Sequence, residues 1–280
     1  MSVFNVRVYN YADGQQIRIY SSVYNCDDKN DVFQTEKKTK NKKDDLMGVE
    51  NEDIWNNIEK YEPYLDTMLE DWELKANREK NERDSKSRTI QKIYEISRAN
   101  TWEYFITLTF NPEKVDSFNY QDVVKKLSKW LNHLKERYSP DLKYIIVPEL
   151  HKSGRYHFHG LFSDIGNMPL VDSGKRLPDG STIYNIGNYT LGFTTATNIK
   201  DNARVTSYIA KYITKELCAV TANKKRYWCS KNLNRVKIDE YVLTHEEINQ
   251  MLEDLSENIQ YCKTSVSRMT GNSVRYIEIK

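Results

Sequence analysis

Two short segments carry residue types that could together act on a phosphodiester. His157 and His159 lie two apart in the segment from Tyr156 to Phe162, which has the pattern of a strand, and Tyr208 and Tyr212 lie four apart in a segment with helical periodicity. Residues two apart share one face of a strand, and residues four apart share one face of a helix. The histidines therefore offer ligands for a divalent metal, and the tyrosines offer phenolic nucleophiles.

The turn before the histidines sets a register that adds a carboxylate to this group. A three-residue loop, 152–154, with Gly154 in the left-handed conformation typical of such hairpins, predicts that Glu149 faces His157 across the ladder. Opposed residues share a face, so we expect Glu149, His157 and His159 to converge and to bind Mn²⁺ or Mg²⁺. A two-residue loop would instead place Glu149 on the other face and remove it as a ligand.

The histidine pair alone does not specify a reaction. Zinc hydrolases also use paired histidines, and two histidines on a strand can be ordinary polar residues of an exposed face. The chain has three further histidines. We expect His133 and His245 to be surface residues of helices, and His151, at the turn, needs no catalytic role.

Each tyrosine is followed three residues later by a lysine, Lys211 or Lys215. A phenol, with a pKa of about 10, is a poor nucleophile at neutral pH. An ammonium group that stabilises the phenolate or the oxyanion, and a metal that polarises the phosphate, would lower the barrier. Attack would leave a 5′-phosphotyrosyl link and a free 3′-hydroxyl, and a second phenol could cut while the first still holds DNA. Alternatively, the tyrosines could simply pack in an amphipathic helix, since the chain contains 20 Tyr.

Positive charge is concentrated around the tyrosines. The whole chain has a net charge of +2, but between Lys200 and Lys237 there are ten Lys and Arg against two Asp and Glu. This excess favours an anionic polymer as ligand. Candidate DNA contacts in this tract and in the segment from Asp164 to Tyr189 are Lys175, Arg176, Arg204, Lys224, Lys225, Arg226, Tyr227, Trp228 and Lys231. Both groups could instead be ordinary surface or core.

The order of strand and helix patterns predicts an α+β fold with a central antiparallel β-sheet flanked by helices. We divide the chain into an N-terminal extension (1–100), a core (101–217) and a C-terminal basic and aromatic tail (218–280).

Several finer expectations follow from the local patterns. The extension should contain a hairpin, a partly disordered charged loop from Cys26 to Gly48, and two helices within 52–98. The core should end in one tyrosine helix from Val205 to Leu217, and Asp164 to Tyr189 should be an inserted loop or small hairpin. A capping-box pattern at Thr244 should open a short helix in the tail.

Other classes of protein are not favoured by the composition. The four cysteines show no C-x-x-C spacing, so neither a zinc finger nor a disulfide framework is indicated. No stretch of about 18 apolar residues and no signal peptide is seen. We expect a cytoplasmic protein without membrane contact, in the cytoplasm of a bacterial host if a phage or plasmid encodes it.

Three segments together resemble, in order and spacing, the three motifs of HUH endonucleases. The match is best with the two-tyrosine rolling-circle replication initiators of small phages and related mobile elements. The segments are Phe105-Ile-Thr-Leu-Thr-Phe110, His157-Phe-His159 and Tyr208-Ile-Ala-Lys-Tyr212. The flanking runs Arg98 to Trp102 and Lys225 to Leu233 are also similar to this family, so that the resemblance covers roughly Thr89 to Arg235.

The resemblance implies an RRM-like palm and a metal held by His157, His159 and an acidic or polar third ligand. It also implies that Tyr208 and Tyr212 alternate as nucleophiles on single-stranded or hairpin origin DNA. Such a protein nicks the origin, leaves the 3′ end to a host DNA polymerase and rejoins the displaced strand. No G-x-x-x-x-G-K-S/T motif is present, so unwinding would need a host helicase. The oligomeric state is left open.

Three alternatives remain. A single-strand transposase or a relaxase would use the same chemistry, although the doubled tyrosine argues against one-tyrosine transposases, and relaxases usually place the tyrosine near the N-terminus and use a third histidine. A non-catalytic DNA-binding replication protein would need the basic tract but neither the histidines nor the tyrosines. A metal hydrolase of small molecules would need His157 and His159 but not the tyrosines.

Overall fold

The structure, a computed structural model, describes residues 3–25, 58–221, 224–267 and 271–280. These ranges form an α+β fold with two antiparallel sheets and five α-helices, which confirms the expected fold class. The charged loop expected from Cys26 to Gly48 lies outside the described residues. Across the described ranges, no helix combines the length and the apolar composition that a membrane crossing requires.

Twelve strands and five helices follow one another along the described chain. The strands are β1 (Val3–Tyr11), β2 (Gly14–Asn25), β3 (Tyr104–Phe110), β4 (Lys143–Leu150), β5 (Tyr156–Ser163), β6 (Leu170–Arg176), β7 (Thr182–Ile186), β8 (Gly192–Asn198), β9 (Trp228–Cys229), β10 (Lys237–Tyr241), β11 (Ile259–Val266) and β12 (Ser273–Ile279). The helices are α1 (Ile58–Arg98), α2 (Tyr120–Arg137), α3 (Asn202–Ile209), α4 (Lys215–Val220) and α5 (His245–Asp254).

The main sheet contains seven strands in the order β6-β7-β8-β3-β5-β4-β9. Helix α2 begins at the N-cap Asn119, whose side chain accepts hydrogen bonds from two backbone amides, and its buried apolar stripe joins the core of this sheet. The stripe consists of Val123, Leu127, Trp130, Leu131 and Leu134. The segment from Asp164 to Tyr189 contains the β6-β7 hairpin, which extends the sheet at one end.

A second sheet joins the two ends of the chain in the order β10-β1-β2-β12-β11. One face of this sheet packs against α5, which the Thr244 capping box opens as expected. The sequence patterns placed the hairpin and the tail in different parts of the chain and indicated no strands after residue 230. Strands that pair across more than 200 residues of sequence leave no local signal of their partner.

One helix, α1, replaces the two that were expected within 52–98. This prediction was wrong because the polar stretch between the two apolar runs keeps residues that favour helix, and Pro63 lies only in the second turn. A proline near a helix end removes one backbone hydrogen bond without interrupting the rest of the helix.

Arg98, at the end of α1, ties the second sheet to the core. Its side chain is only 8% exposed, and it donates to Asp13 at 3.0 Å and to Glu278 at 2.6 Å. The guanidinium also donates to the Tyr94 hydroxyl and lies 4.3 Å from the centroid of the Tyr11 ring. One cation therefore compensates two carboxylates of the second sheet.

We predict that Arg98→Met lowers the free energy of unfolding by about 2 to 4 kcal/mol, because it leaves two poorly solvated carboxylates without a partner. Chemical denaturation measures this. Arg176→Met is the matched control, since it removes an exposed pair with Asp172 and should change stability much less. Equal effects of the two substitutions would contradict the assigned role of Arg98.

Candidate active site

The strand register places the predicted metal ligands on one face of the main sheet. Glu149 lies opposite His157 in the β4-β5 ladder, and Gly154, with φ of 82°, closes the hairpin as the sequence predicted. Strand β3 continues the same rows, since Thr109 is opposite His157 and Thr107 is opposite His159. Opposed residues share a face of the sheet.

Both imidazole rings are oriented by threonine hydroxyls. Thr107 Oγ1 lies 3.1 Å from His159 Nδ1, and Thr109 Oγ1 lies 3.2 Å from His157 Nδ1. This leaves Nε2 of each ring for another partner. The motifs in the sequence gave these threonines no role, although their alternation in β3 puts them on one face of the strand.

Glu149 reaches the second histidine directly. Its Oε2 atom lies 2.7 Å from Nε2 of His159. Burial lowers the pKa of His157 and of His159 below the usual value, and Glu149 opposes this change in both cases. Both rings therefore favour the neutral form, which is the form that ligates metals.

The three residues are close, but they do not surround one point. Among the residues that the structure describes, no three His, Cys, Asp or Glu side chains are grouped as a metal site. Glu149 bonds to His159, while the His157 ring lies 5.4 Å from the ring of His151. His151, for which the sequence indicated no role, is thus a direct neighbour of the candidate site.

The tyrosine segment is not the continuous helix that the sequence predicted. Helix α3 tightens into a 3₁₀ turn, Ala210–Tyr212, and Ile213 leaves helical geometry. Thr214 then caps the start of α4 by accepting from the Leu217 amide. The prediction was wrong because the Thr214 hydroxyl replaces the helical partner of that amide and starts a new helix, a preference that depends on local geometry.

The two phenols meet despite this break. The Tyr212 hydroxyl donates to the Tyr208 oxygen at 3.2 Å. Tyr208 is 44% exposed, whereas Tyr212 is 8% exposed and its ring stacks on the His159 ring, with 3.7 Å between centroids and 7° between planes. The pair therefore joins the histidine face to an exposed hydroxyl.

Lys211 distinguishes the two tyrosines electrostatically. Its Nζ atom lies 3.4 Å from the centroid of the Tyr208 ring and 5.0 Å from that of Tyr212. Hydrogen bonding from Lys211, and then from Tyr212, lowers the pKa of Tyr208 below its usual value. Burial, and then the bond to Tyr208, raises the pKa of Tyr212. Tyr208 is therefore the phenol that ionises more readily; the side chain of Lys215 lies outside the described residues.

The predicted DNA contacts fall into two groups. Arg226 donates to Ser85, Thr221 and the Cys218 carbonyl, and Trp228 is buried against Tyr120 and Phe158, so both have structural roles here. Tyr227 is half-buried against the core, and Arg176 forms a bidentate pair with Asp172. The candidates with exposed side chains are Lys175, Arg204, Lys224, Lys225 and Lys231.

We predict that Lys211→Gln raises the pKa of Tyr208, because the substitution replaces the ammonium that stabilises its phenolate with a neutral amide. NMR titration of tyrosine ring carbons, with the Tyr208 signal assigned by its loss in Tyr208→Phe, measures the shift. Lys114→Gln, an exposed lysine outside this contact, is the control and should leave the signal unchanged. No change in Lys211→Gln would remove Lys211 from the site.

The comparisons with known proteins agree with this placement. No curated protein and no solved structure matches the chain. Residues 103–217, which extend from β3 through the histidine strand to the tyrosine segment, match the family model of the replication-associated protein ORF2, and this match supports a rolling-circle replication initiator family.

Proposed function

We propose that this chain is a site- and strand-specific DNA nickase and ligase of the two-tyrosine HUH type. It would start and end rolling-circle replication through a 5′-phosphotyrosyl intermediate. The observation that carries the proposal is the exposed Tyr208 hydroxyl, which is hydrogen-bonded to Tyr212 and stacked by Lys211 beside the histidine face. The match to replication-associated proteins supports the role in replication initiation.

Tyr208 is the proposed first nucleophile. Its oxygen would attack the scissile phosphorus, and the bond from phosphorus to the 3′ oxygen would break, which leaves a 3′-hydroxyl for a host polymerase. Lys211 would stabilise the phenolate before attack and the phosphate charge during it. Because the new phosphodiester conserves the energy of the old one, the same residues can run the reaction backwards and join strands.

Tyr212 has two proposed roles. In the resting arrangement, its hydroxyl donates to Tyr208 and so favours the Tyr208 phenolate. After Tyr208 is consumed in the covalent link, Tyr212 would become the nucleophile for the second cut. Its ring is buried on His159, so it would have to leave this stack first, which would order the two cuts.

A divalent metal, Mn²⁺ or Mg²⁺, is proposed as the cofactor of His157, His159 and Glu149. The donor set fits such an ion, since two neutral imidazoles keep Nε2 free of their threonine partners and a carboxylate is adjacent. When bound, the ion would supply charge that polarises the scissile phosphate. Binding at Nε2 of His159 would replace its hydrogen bond to Glu149.

The face of the sheet that bears the histidines is proposed to carry the single strand. Phe193 of β8 lies opposite Thr109, in the same row as His157, and is 51% exposed. Bases stack on exposed aromatic rings without regard to sequence. Arg204 is exposed one helical turn before Tyr208, where a guanidinium would meet the backbone phosphates. Origin recognition within single-stranded or hairpin DNA would use these contacts, and a host helicase would unwind the duplex.

We predict that Tyr208→Phe abolishes the covalent adduct with 5′- and 3′-labelled single-stranded DNA of its own replicon in Mn²⁺. Tyr212→Phe should still form the adduct, slower by at most about tenfold because only one hydrogen bond is lost, but should fail to transfer the strand a second time. His157→Ala should abolish the adduct. Denaturing gels measure all three reactions.

Several results would overturn parts of this scheme. If the wild type binds the DNA but forms no adduct with any divalent metal, the chain is a DNA-binding replication protein rather than a nuclease. If Tyr212→Phe loses the first adduct and Tyr208→Phe keeps it, the proposed order of the tyrosines is reversed. If His157→Ala retains full activity, the metal role of the histidine face is lost.

We predict that Phe193→Ala weakens binding of single-stranded DNA about tenfold through the loss of one stacked base. Fluorescence anisotropy with a labelled oligonucleotide measures the affinity, and Tyr208→Phe should be used as background so that no cleavage occurs. Tyr241→Ala, which removes an exposed aromatic ring of the second sheet, is the matched control. Equal losses in the two variants would argue against a strand path over β8.

A further inference from the structure

The two sheets have four edge strands in the described part of the chain, and three of them are protected against pairing with other strands. Strand β9 has two residues, and β10 has five, of which three are charged. Strand β6 contains a register shift and Gly174 at φ of 75°. Short length, charge and bulges are the usual protections of a sheet edge.

Strand β11 lacks these protections. From Tyr261 to Val266 it pairs with β12 in unbroken register, and all six residues are exposed. Lys263 is its one charged residue. Tyr261 and Val266 are more than half exposed. A regular, exposed edge of this length is a template for another strand.

The residues of β11 favour a second copy of the same strand as the partner. Two copies related by a two-fold axis perpendicular to the sheet pair antiparallel around one central residue, because opposed residues must share a face. A centre at Lys263 would place like charges opposite each other. A centre at Cys262 would extend the pairing into the register shift between Ile259 and Tyr261.

A centre at Thr264 avoids both problems. It sets Thr264 against the partner's Thr264, Lys263 against the partner's Ser265, and Cys262 against the partner's Val266. The regular part of the strand is then used almost entirely, and no like charges are opposed. Threonine pairs and small apolar pairs are favourable neighbours across antiparallel strands.

We propose that β11 is the dimer interface of this protein, where two copies join their second sheets into one ten-stranded antiparallel sheet centred on Thr264. The interface lies in a different sheet from the tyrosines and histidines, so that it does not depend on the proposed nuclease activity. It would bring two copies of the candidate active site to one DNA molecule.

Sedimentation velocity of the full chain over a range of concentrations tests this proposal. The wild type should reach twice the 33.1 kDa of one chain. Thr264→Lys should weaken the dimer about tenfold or more, since it opposes two ammonium groups at the centre. Thr264→Val should preserve the dimer, and Tyr241→Lys, on the opposite edge strand, should leave it unchanged. Circular dichroism confirms that each variant is folded.

Cross-linking tests the register. Thr264→Cys in a Cys262→Ser background should give a covalent dimer with a short bismaleimide, whereas Cys262→Ser alone should give much less. A wild type that stays monomeric at all concentrations, or a dimer that Thr264→Lys leaves intact, would overturn the proposal. A dimer without the Thr264→Cys cross-link would overturn the register and the proposed centre.

Discussion

The candidate site depends on the antiparallel register of three central strands, β3, β5 and β4. Because opposed residues share a face, this register sets Glu149, His157 and Thr109 in one row and His159 and Thr107 in the next. A slip of one residue in either ladder would turn these side chains to the other face. The turn at Gly154 fixes one ladder, and the buried apolar residues that alternate with the polar ones fix the other.

The inequality of the two tyrosines arises from how the chain continues after α3. The 3₁₀ turn brings Tyr212 down onto His159, while Tyr208, on the last turn of α3, stays at the surface. Lys211 then lies over the ring of the exposed phenol. Burial opposes ionisation of one phenol, and a cation favours ionisation of the other, so two identical side chains acquire different chemistry.

The second sheet shows how a distant pairing organises the ends of the chain. Strands β1 and β2 lie between β10 and β12, so residues near both ends of the sequence share one core over α5. Arg98 connects this sheet to the helix that leads into β3. Through this connection the second sheet is held against the end of the helix that packs beside the tyrosine segment.

Features that depend on neighbouring residues could be predicted from the sequence by itself. The α+β class, the strand that carries His157, the hairpin at Gly154 and the Thr244 capping box follow from short-range periodicity and turn chemistry, which act within a few residues. Only the tertiary structure decided which members of the basic tract are exposed, since the burial of Trp228 and the bonds of Arg226 depend on residues up to 141 positions away. The threonine partners of the histidines, the contact of Lys211 with Tyr208 and the sheet that joins both ends were decided in the same way. Long-range pairing and burial are properties of the whole packed chain, and no local pattern encodes them.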